Sequence, residues 1–204
     1  AFTTALAFNM KVNAILIPPI LLLWLLISYR DQILKRPLYW LLNLGSWFLI
    51  ASVMSLTIWS LFWGNPLTHL QDLVRHFTEG TTGFPVFYYG QLYQARINVP
   101  WHYALGYLAA VTPTPVIIFF LIGLTKATKD AFTLKSPVSG LLLVWFLVPT
   151  LKYLHPGVGI LDDIRHFLEV VFPLAALAGI GAAAALGRIQ NLKIKIKKFP
   201  PIFF

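Results

Sequence analysis

No charged side chain occurs in residues 38–63, LYWLLNLGSWFLIASVMSLTIWSLFW. A bilayer core about 30 Å thick needs about 20 apolar residues of α-helix to cross it. Only helices and closed barrels satisfy every backbone hydrogen bond there, and this stretch is too long for a barrel strand. It therefore predicts a transmembrane helix.

The composition of the whole chain points the same way. Of 204 residues, 58% are hydrophobic and 11% are charged, which leaves too little polar surface to cover a soluble domain. Cysteine is absent, so disulfides and thiolate metal sites are excluded. The sequence predicts an all-α integral membrane protein, a multi-span helical bundle with an outer loop that contains an interfacial amphipathic helix.

Five apolar segments form the predicted bundle, which we treat as one transmembrane domain over residues 1–204. The predicted spans are 12–28, 38–63, 103–124, 137–151 and 167–187, with an outer loop at 64–102 and a basic cytoplasmic tail at 188–204. The chain opens with the apolar residues AFTTALAFNM and no initiator methionine. We therefore expect it to be the C-terminal part of a larger transmembrane domain.

The basic residues predict the orientation, because short cytoplasmic loops hold an excess of Lys and Arg. Eleven lie on one set of span ends, and five lie on the other. The larger set, predicted to be cytoplasmic, is Arg30, Lys35, Arg36, Lys126, Lys129, Lys135, Arg188, Lys193, Lys195, Lys197 and Lys198; the outer set is Lys11, Arg75, Arg96, Lys152 and Arg165. The net charge of +9 then reflects topology and contact with anionic lipid rather than nucleic acid. We expect a multi-pass protein of the bacterial inner membrane.

The outer segments also hold the chemistry-bearing side chains. All five histidines lie there or at the segment edges, together with five carboxylates: His69, His76, His102, His155, His166, Asp72, Glu79, Asp162, Asp163 and Glu169. Solvation alone would spread histidines over both faces of the membrane. This asymmetry predicts a site on the extracytoplasmic face.

The outer loop is organised. In NPLTHLQDLVRHFTEG (65–80), Asn65 can cap a helix, Pro66 suits its first position and Gly80 its end, and the apolar residues share one face. The following TTGFPVFYYGQLYQ (81–94) is typical of an ordered aromatic loop at headgroup level. His69, Asp72 and His76 could bind a metal, but a solvated helix face is the better interpretation. We expect no metal and no cofactor.

Three stretches carry a resemblance to a known family. In YYGQLYQARINVPWHYALGYLAAVTPTPVIIFFLIGL (88–124), an aromatic pair with glycine precedes Pro-Trp-His-Tyr and a helix with Thr-Pro. The second stretch is LDDIRHFLEVVFPLAALAG (161–179), and the third is AFNMKVNAILIPPILLL (7–23), where Lys11 enters a helix. Together they resemble the bacterial lipid-linked sugar transferases of the GT-C superfamily, similar to protein O-mannosyltransferases and the aminoarabinose transferase of lipid A.

The resemblance implies a reaction. Such enzymes pass a hexosyl or pentosyl group from a polyprenyl-phosphate carrier to a lipid or protein acceptor on the outer face. A carboxylate must accept the proton of the acceptor hydroxyl, and cations must stabilise the leaving phosphate. The substrate-binding residues that the resemblance implies are Arg165, His166, Asp163, Lys11, Tyr88, Tyr89, Trp101, His102 and Tyr103, with Arg96 a further candidate for phosphate.

The family's catalytic aspartate lies in the first outer loop, a position that we expect upstream of this chain. The resemblance therefore implies a fragment that is inactive by itself. Trp101, His102 and Tyr103 would border the entrance for carrier or acceptor, and residues 112–115, TPTP, would bend the helix beneath it.

Two other classes of function remain as alternatives to the sugar transferase. A transporter or flippase for a lipid-linked or anionic substrate would also gather outer cations, but it should show an ionisable residue at mid-membrane and an internal repeat, and neither is evident in the sequence. A non-catalytic membrane scaffold predicts a featureless outer loop, and the aromatic residues of 84–93 argue against it.

Overall fold

A computed structural model describes residues 1–10, 12–59, 63–155, 157–158 and 167–197, with their side chains except at 12, 76–78 and 191–197. This part of the chain is mostly helical. Its elements are α1 (Phe2–Met10), a 3₁₀ helix (Val12–Leu16), α2 (Ile17–Lys35), α3 (Pro37–Ile58), α4 (Pro66–Glu79), β1 (Pro85–Tyr88), β2 (Gln91–Gln94), α5 (Tyr103–Val111), α6 (Thr114–Phe132), α7 (Pro137–Tyr153) and α8 (Leu168–Lys197).

Three helical stretches within the described residues are long and apolar enough to cross a membrane: Asn13–Lys35, Pro37–Ile58 and Leu168–Gln190. Helix α7 is apolar but shorter. The fold is therefore that of a helical protein with three candidate membrane-spanning helices. The number of spans and their orientation stay predictions.

Prolines begin the first two long helices. Pro18 and Pro19 lie in the first turn of α2, where a missing N–H is tolerated, and α2 continues to Lys35 beyond the predicted end of the span at Ser28. Tyr29 departs from helical geometry, with φ −130° and ψ 17°, where the polar part of the helix begins. Pro37 then opens α3.

The predicted span 103–124 consists of two helices rather than one bent helix. Helix α5 ends at Val111, Thr112 and Pro113 are extended with ψ of 126° and 136°, and α6 begins at Thr114. A residue before proline is pushed towards extended backbone, and proline itself has no N–H to donate. The Thr-Pro repeat thus breaks the helix completely.

Helices α6 and α8 meet through glycine. A Cβ atom on Gly123 would lie 1.8 Å from the carbonyl oxygen of Leu177, and one on Gly181 would lie 1.9 Å from that of Phe119. Small residues allow helix backbones to approach this closely. Tyr107 of α5, the helix that leads into α6, contacts Phe167, which directly precedes α8. Helices α6 and α8 therefore begin at the same end of the molecule and run in the same direction.

Helix α7, which lies between α6 and α8 in sequence, runs in the opposite direction and packs beside them. Its Phe146 ring packs on Phe120, with centroids 4.9 Å apart, while Gly140 near its start faces α2, where an added Cβ would be 2.8 Å from the Ser28 hydroxyl oxygen. The Trp24 indole N–H donates to the Pro137 carbonyl at 2.8 Å and fixes α2 on α7.

The helix directions gather the basic side chains at one end of the molecule. The C-terminal parts of α2 and α6 and the N-terminal ends of α3 and α7 meet there, and this basic end carries Arg30, Lys35, Arg36, Lys126, Lys129 and Lys135. The opposite end carries β1, β2 and the starts of α5 and α8, and we call it the hairpin end. Which end faces the cytoplasm stays a prediction.

Candidate functional site

A β-hairpin lies in the segment that the sequence predicts as an aromatic loop, so an all-α description is incomplete. β1 and β2 pair antiparallel, with Val86 opposite Tyr93 and Tyr88 opposite Gln91. The two turn residues, Tyr89 and Gly90, have φ of +46° and +79°, the backbone that a two-residue hairpin turn requires. The sequence signal was weak because tyrosine rarely adopts positive φ.

One face of the hairpin packs on α5. Val86 and Tyr88 alternate with exposed neighbours and point into the protein. Gly106 of α5 receives the Tyr88 side chain, because a Cβ atom there would lie only 2.1 Å from the Tyr88 hydroxyl oxygen. Because Gly106 has no side chain, Tyr88 can pack against α5 at this point, and this contact positions the hairpin.

Five of the residues for which the resemblance implies substrate binding meet at this point, and we call them the aromatic cluster: Tyr88, Tyr89, Trp101, His102 and Tyr103. Ring centroids of Tyr88 lie 4.5 Å from Tyr89, 4.9 Å from Tyr103 and 5.8 Å from His102, and the Trp101 and His102 rings are 5.4 Å apart. The structure thus brings together two segments that are separate in sequence.

The aromatic cluster has a buried base and an exposed rim. Tyr88 and Tyr103 are buried, whereas Tyr89 is 80% and Trp101 61% exposed, and His102 is exposed as well. Burial, and then the neighbouring Tyr89 and Tyr93, raise the pKa of Tyr88 above its ordinary value. The buried tyrosines hold the geometry, and the rim offers aromatic faces and an imidazole to a ligand.

Phe167 connects the aromatic cluster to the start of α8. It is fully buried, and its ring lies 6.2 Å from Tyr103, 5.8 Å from Tyr107 and 4.9 Å from Tyr153. Such tilted and edge-to-face contacts suit aromatic quadrupoles. The contacts continue from the hairpin through α5 to the ends of α7 and α8.

A polar network built around Glu169 adjoins Phe167. The Asn13 amide donates to Glu169 Oε1 at 2.8 Å, and the Tyr153 hydroxyl donates to the same oxygen. Lys152 Nζ donates to Asn13 Oδ1 at 3.4 Å and lies 4.7 Å from the centre of the Tyr153 ring. The network joins the 3₁₀ helix, α7 and α8, and it supplies hydrogen bonds to a half-buried carboxylate.

The sequence predicts that Glu169 lies on the outer side, but no sequence pattern marks it as part of the site. An available signal was its position in the first turn of an apolar, membrane-length helix, since an ionisable side chain there needs partners. Its actual partners could not be inferred, because Asn13 is 156 residues away in sequence.

Four of the predicted substrate-binding residues, Lys11, Asp163, Arg165 and His166, lie outside the described residues. Arg96 is described at the base of the hairpin, where its Nε donates to the Thr81 hydroxyl at 3.1 Å. Among the side chains that the structure describes, no group of three His, Asp or Glu could hold a metal. The side chain of His76 is not one of those described.

Fold and site together define a helical protein with candidate membrane-spanning helices and an aromatic and carboxylate site at one end. The chain matches no family model, no curated protein and no solved structure.

Proposed function

We propose that this chain takes part in transferring a sugar from a polyprenyl-phosphate-linked donor to a lipid or protein acceptor on the extracytoplasmic face. One observation supports this above the others. Two parts of the stretch 88–124, which resembles the lipid-linked sugar transferases, contribute aromatic side chains to a single cluster with an exposed rim; these parts are 88–90 and 100–103.

The rim has the chemistry that a sugar needs. A sugar ring presents C–H groups on its faces and hydroxyls at its edge, so aromatic side chains with polar atoms nearby suit both parts. Trp101 and Tyr89 supply exposed aromatic faces, and His102 supplies a ring nitrogen beside Trp101. In this proposal, the donor's sugar binds at the rim.

The charged roles rest on the sequence. Arg165 would bind the leaving phosphate because a guanidinium matches phosphate oxygens in a forked geometry, with His166 and Lys11 adding positive charge and Asp163 orienting Arg165. Glu169, already bonded to Asn13 and Tyr153, would hold the start of α8 in position. The proton acceptor is assigned to no residue of this chain.

The decisive experiment follows sugar transfer by the purified full-length protein supplied with a polyprenyl-phosphate sugar. Trp101→Ala and His102→Ala should each raise the KM for the donor about tenfold with a smaller change in kcat, because both contacts are made in the bound ground state. Arg165→Ala should lower kcat instead, because phosphate charge develops in the transition state.

Trp63→Ala is the matched control, since Trp63 is an exposed tryptophan outside the aromatic cluster. An unchanged donor KM in both cluster variants would disprove the proposed binding surface. If protein in vesicles moves the intact lipid-linked sugar across the membrane without transferring it, the transporter alternative is correct.

A further inference from the structure

An apolar cavity of about 310 Å³ lies between α1, α3 and α4, and shares no lining residue with the aromatic cluster. Its wall includes Phe8 of α1, Ala51 and Ser52 of α3, and Leu70 and Leu73 of α4. Cavities lined by apolar side chains stay dry and take up apolar ligands. This cavity therefore suits hydrocarbon rather than water.

The cavity opens sideways, towards the surface that the bilayer would cover. Ile15, Phe48 and Leu56 line it, and each is more than half exposed. Phe48 and Leu56 belong to α3, a candidate membrane-spanning helix. A lipid chain in the bilayer could enter without leaving an apolar environment.

The dimensions of the cavity fit one lipid chain. Its wall extends along α3 from Trp47 to Leu56 and on to Trp59, just beyond the end of the helix. At about 1.5 Å per residue, the helical part of this wall is about 14 Å long. Half of a bilayer core about 30 Å thick is about 15 Å, which is the depth that one acyl chain occupies.

Helix α4 covers one side of the cavity and carries charge next to it. Leu70 borders both the cavity and an open depression lined by Gln71, Arg75 and Glu79. Arg75 Nε lies 3.1 Å from Glu79 Oε2, and both side chains are exposed. A cation and an anion side by side match the phosphate and ammonium groups of a zwitterionic phospholipid headgroup.

We propose that the cavity holds one acyl chain of a phosphatidylethanolamine-type phospholipid, whose headgroup lies on α4 with its phosphate at Arg75 and its ammonium at Glu79. The site is separate from the sugar-transfer function. Helix α4 has Leu67 and Val74 exposed on its apolar side, and the same lipid layer would cover them.

The test is native mass spectrometry of the full chain, released from nanodiscs of phosphatidylethanolamine, phosphatidylglycerol and a polyprenyl phosphate. Wild type should retain one phosphatidylethanolamine. Ser52→Leu should retain about tenfold less, because the added methyl groups occupy space that chain methylenes would fill. The matched control is Val53→Leu, whose side chain is exposed on the same helix and does not line the cavity.

Glu79→Gln tests the headgroup, and should shift retention towards phosphatidylglycerol several-fold because the partner of the ammonium is lost. A diazirine-bearing acyl chain on phosphatidylethanolamine should crosslink wild type at α3 and α4 residues of the cavity, which avoids reliance on any variant. Equal retention by Ser52→Leu and Val53→Leu, preference of wild type for either other lipid, or crosslinks elsewhere would each overturn the proposal.

Discussion

Tyr88 shows how one side chain organises the hairpin end. Its ring touches Tyr89, Tyr103 and His102, and its hydroxyl lies over Gly106. Because the ring is buried, ionising the hydroxyl would leave a poorly solvated charge, which is why its pKa is raised. The folded state therefore favours the neutral, protonated form of Tyr88.

The raised pKa of Tyr88 predicts that this tyrosine ionises at higher pH than an exposed tyrosine and that folding loses stability as it does so. A group with a raised folded-state pKa contributes stability that is present below its unfolded pKa, about 10 for tyrosine, and is lost as pH rises through the folded value. We expect a tyrosinate absorbance component above pH 10 in wild type that is missing from Tyr88→Phe. Superimposable titration curves, scaled for the number of tyrosines, would contradict this prediction.

Gly106 offers a test of the hairpin packing. Gly106→Ala should lower the free energy of unfolding by about 1–3 kcal/mol, since the new Cβ meets the Tyr88 hydroxyl and the side chain must move. Tyr88→Phe in the same chain should restore part of that loss because the nearest atom is removed. Strictly additive effects in denaturant unfolding would show that the two residues do not interact.

At the scale of elements, the contact between α6 and α8 depends on the absence of side chains. Gly123 and Gly181 each face a backbone carbonyl of the other helix, and backbone cannot rotate away as a side chain can. Gly179, two residues before Gly181 in α8, has open space around it. Gly179 is therefore a matched control for Gly181 within the same helix.

We predict that Gly181→Ala lowers the free energy of unfolding in detergent by about 3 kcal/mol or more, because the helices must separate. Gly179→Ala should be neutral or stabilise by up to about 1 kcal/mol, since alanine favours helix. The measurement is chemical unfolding followed by circular dichroism. Equal effects of the two substitutions would rule out the proposed close contact.

At the scale of the molecule, the Glu169 network ties the start of the described chain to its last two helices. Tyr153→Phe should lower the free energy of unfolding by about 2 kcal/mol, because a hydrogen bond to a carboxylate is lost in a partly buried site. Tyr39→Phe, at an exposed tyrosine of α3, should change it by less than about 0.5 kcal/mol. A Tyr153→Phe effect no larger than the control would contradict the network's role.

The gathering of basic residues at one end makes orientation testable. The chain contains no cysteine, so an introduced one is the only thiol to be labelled. In intact cells, a membrane-impermeant reagent should label Leu92→Cys in β2, and it should label Thr133→Cys at the basic end only after the cells are opened. The reverse pattern would invert the predicted topology.

Local composition is enough to predict several features of the fold. Three of the five predicted spans, 12–28, 38–63 and 167–187, overlap the candidate membrane-spanning helices, and the start and stop signals of 65–80 coincide with the bounds of helix α4. The aromatic residues of the hairpin end were also recognisable, because Tyr88 and Trp101 belong to short local patterns. Such properties depend on residues that are neighbours in sequence, so they can be predicted without knowing the tertiary structure.

Which of these residues are in contact depends on the tertiary structure. Glu169 meets Asn13 and Tyr153, Tyr88 fits over Gly106, and Gly123 lies against α8, although no sequence pattern links the members of these pairs. The physical reason is that close packing and hydrogen-bond geometry depend on how whole helices cross. That crossing results from the sum of many weak contacts between residues far apart in the chain.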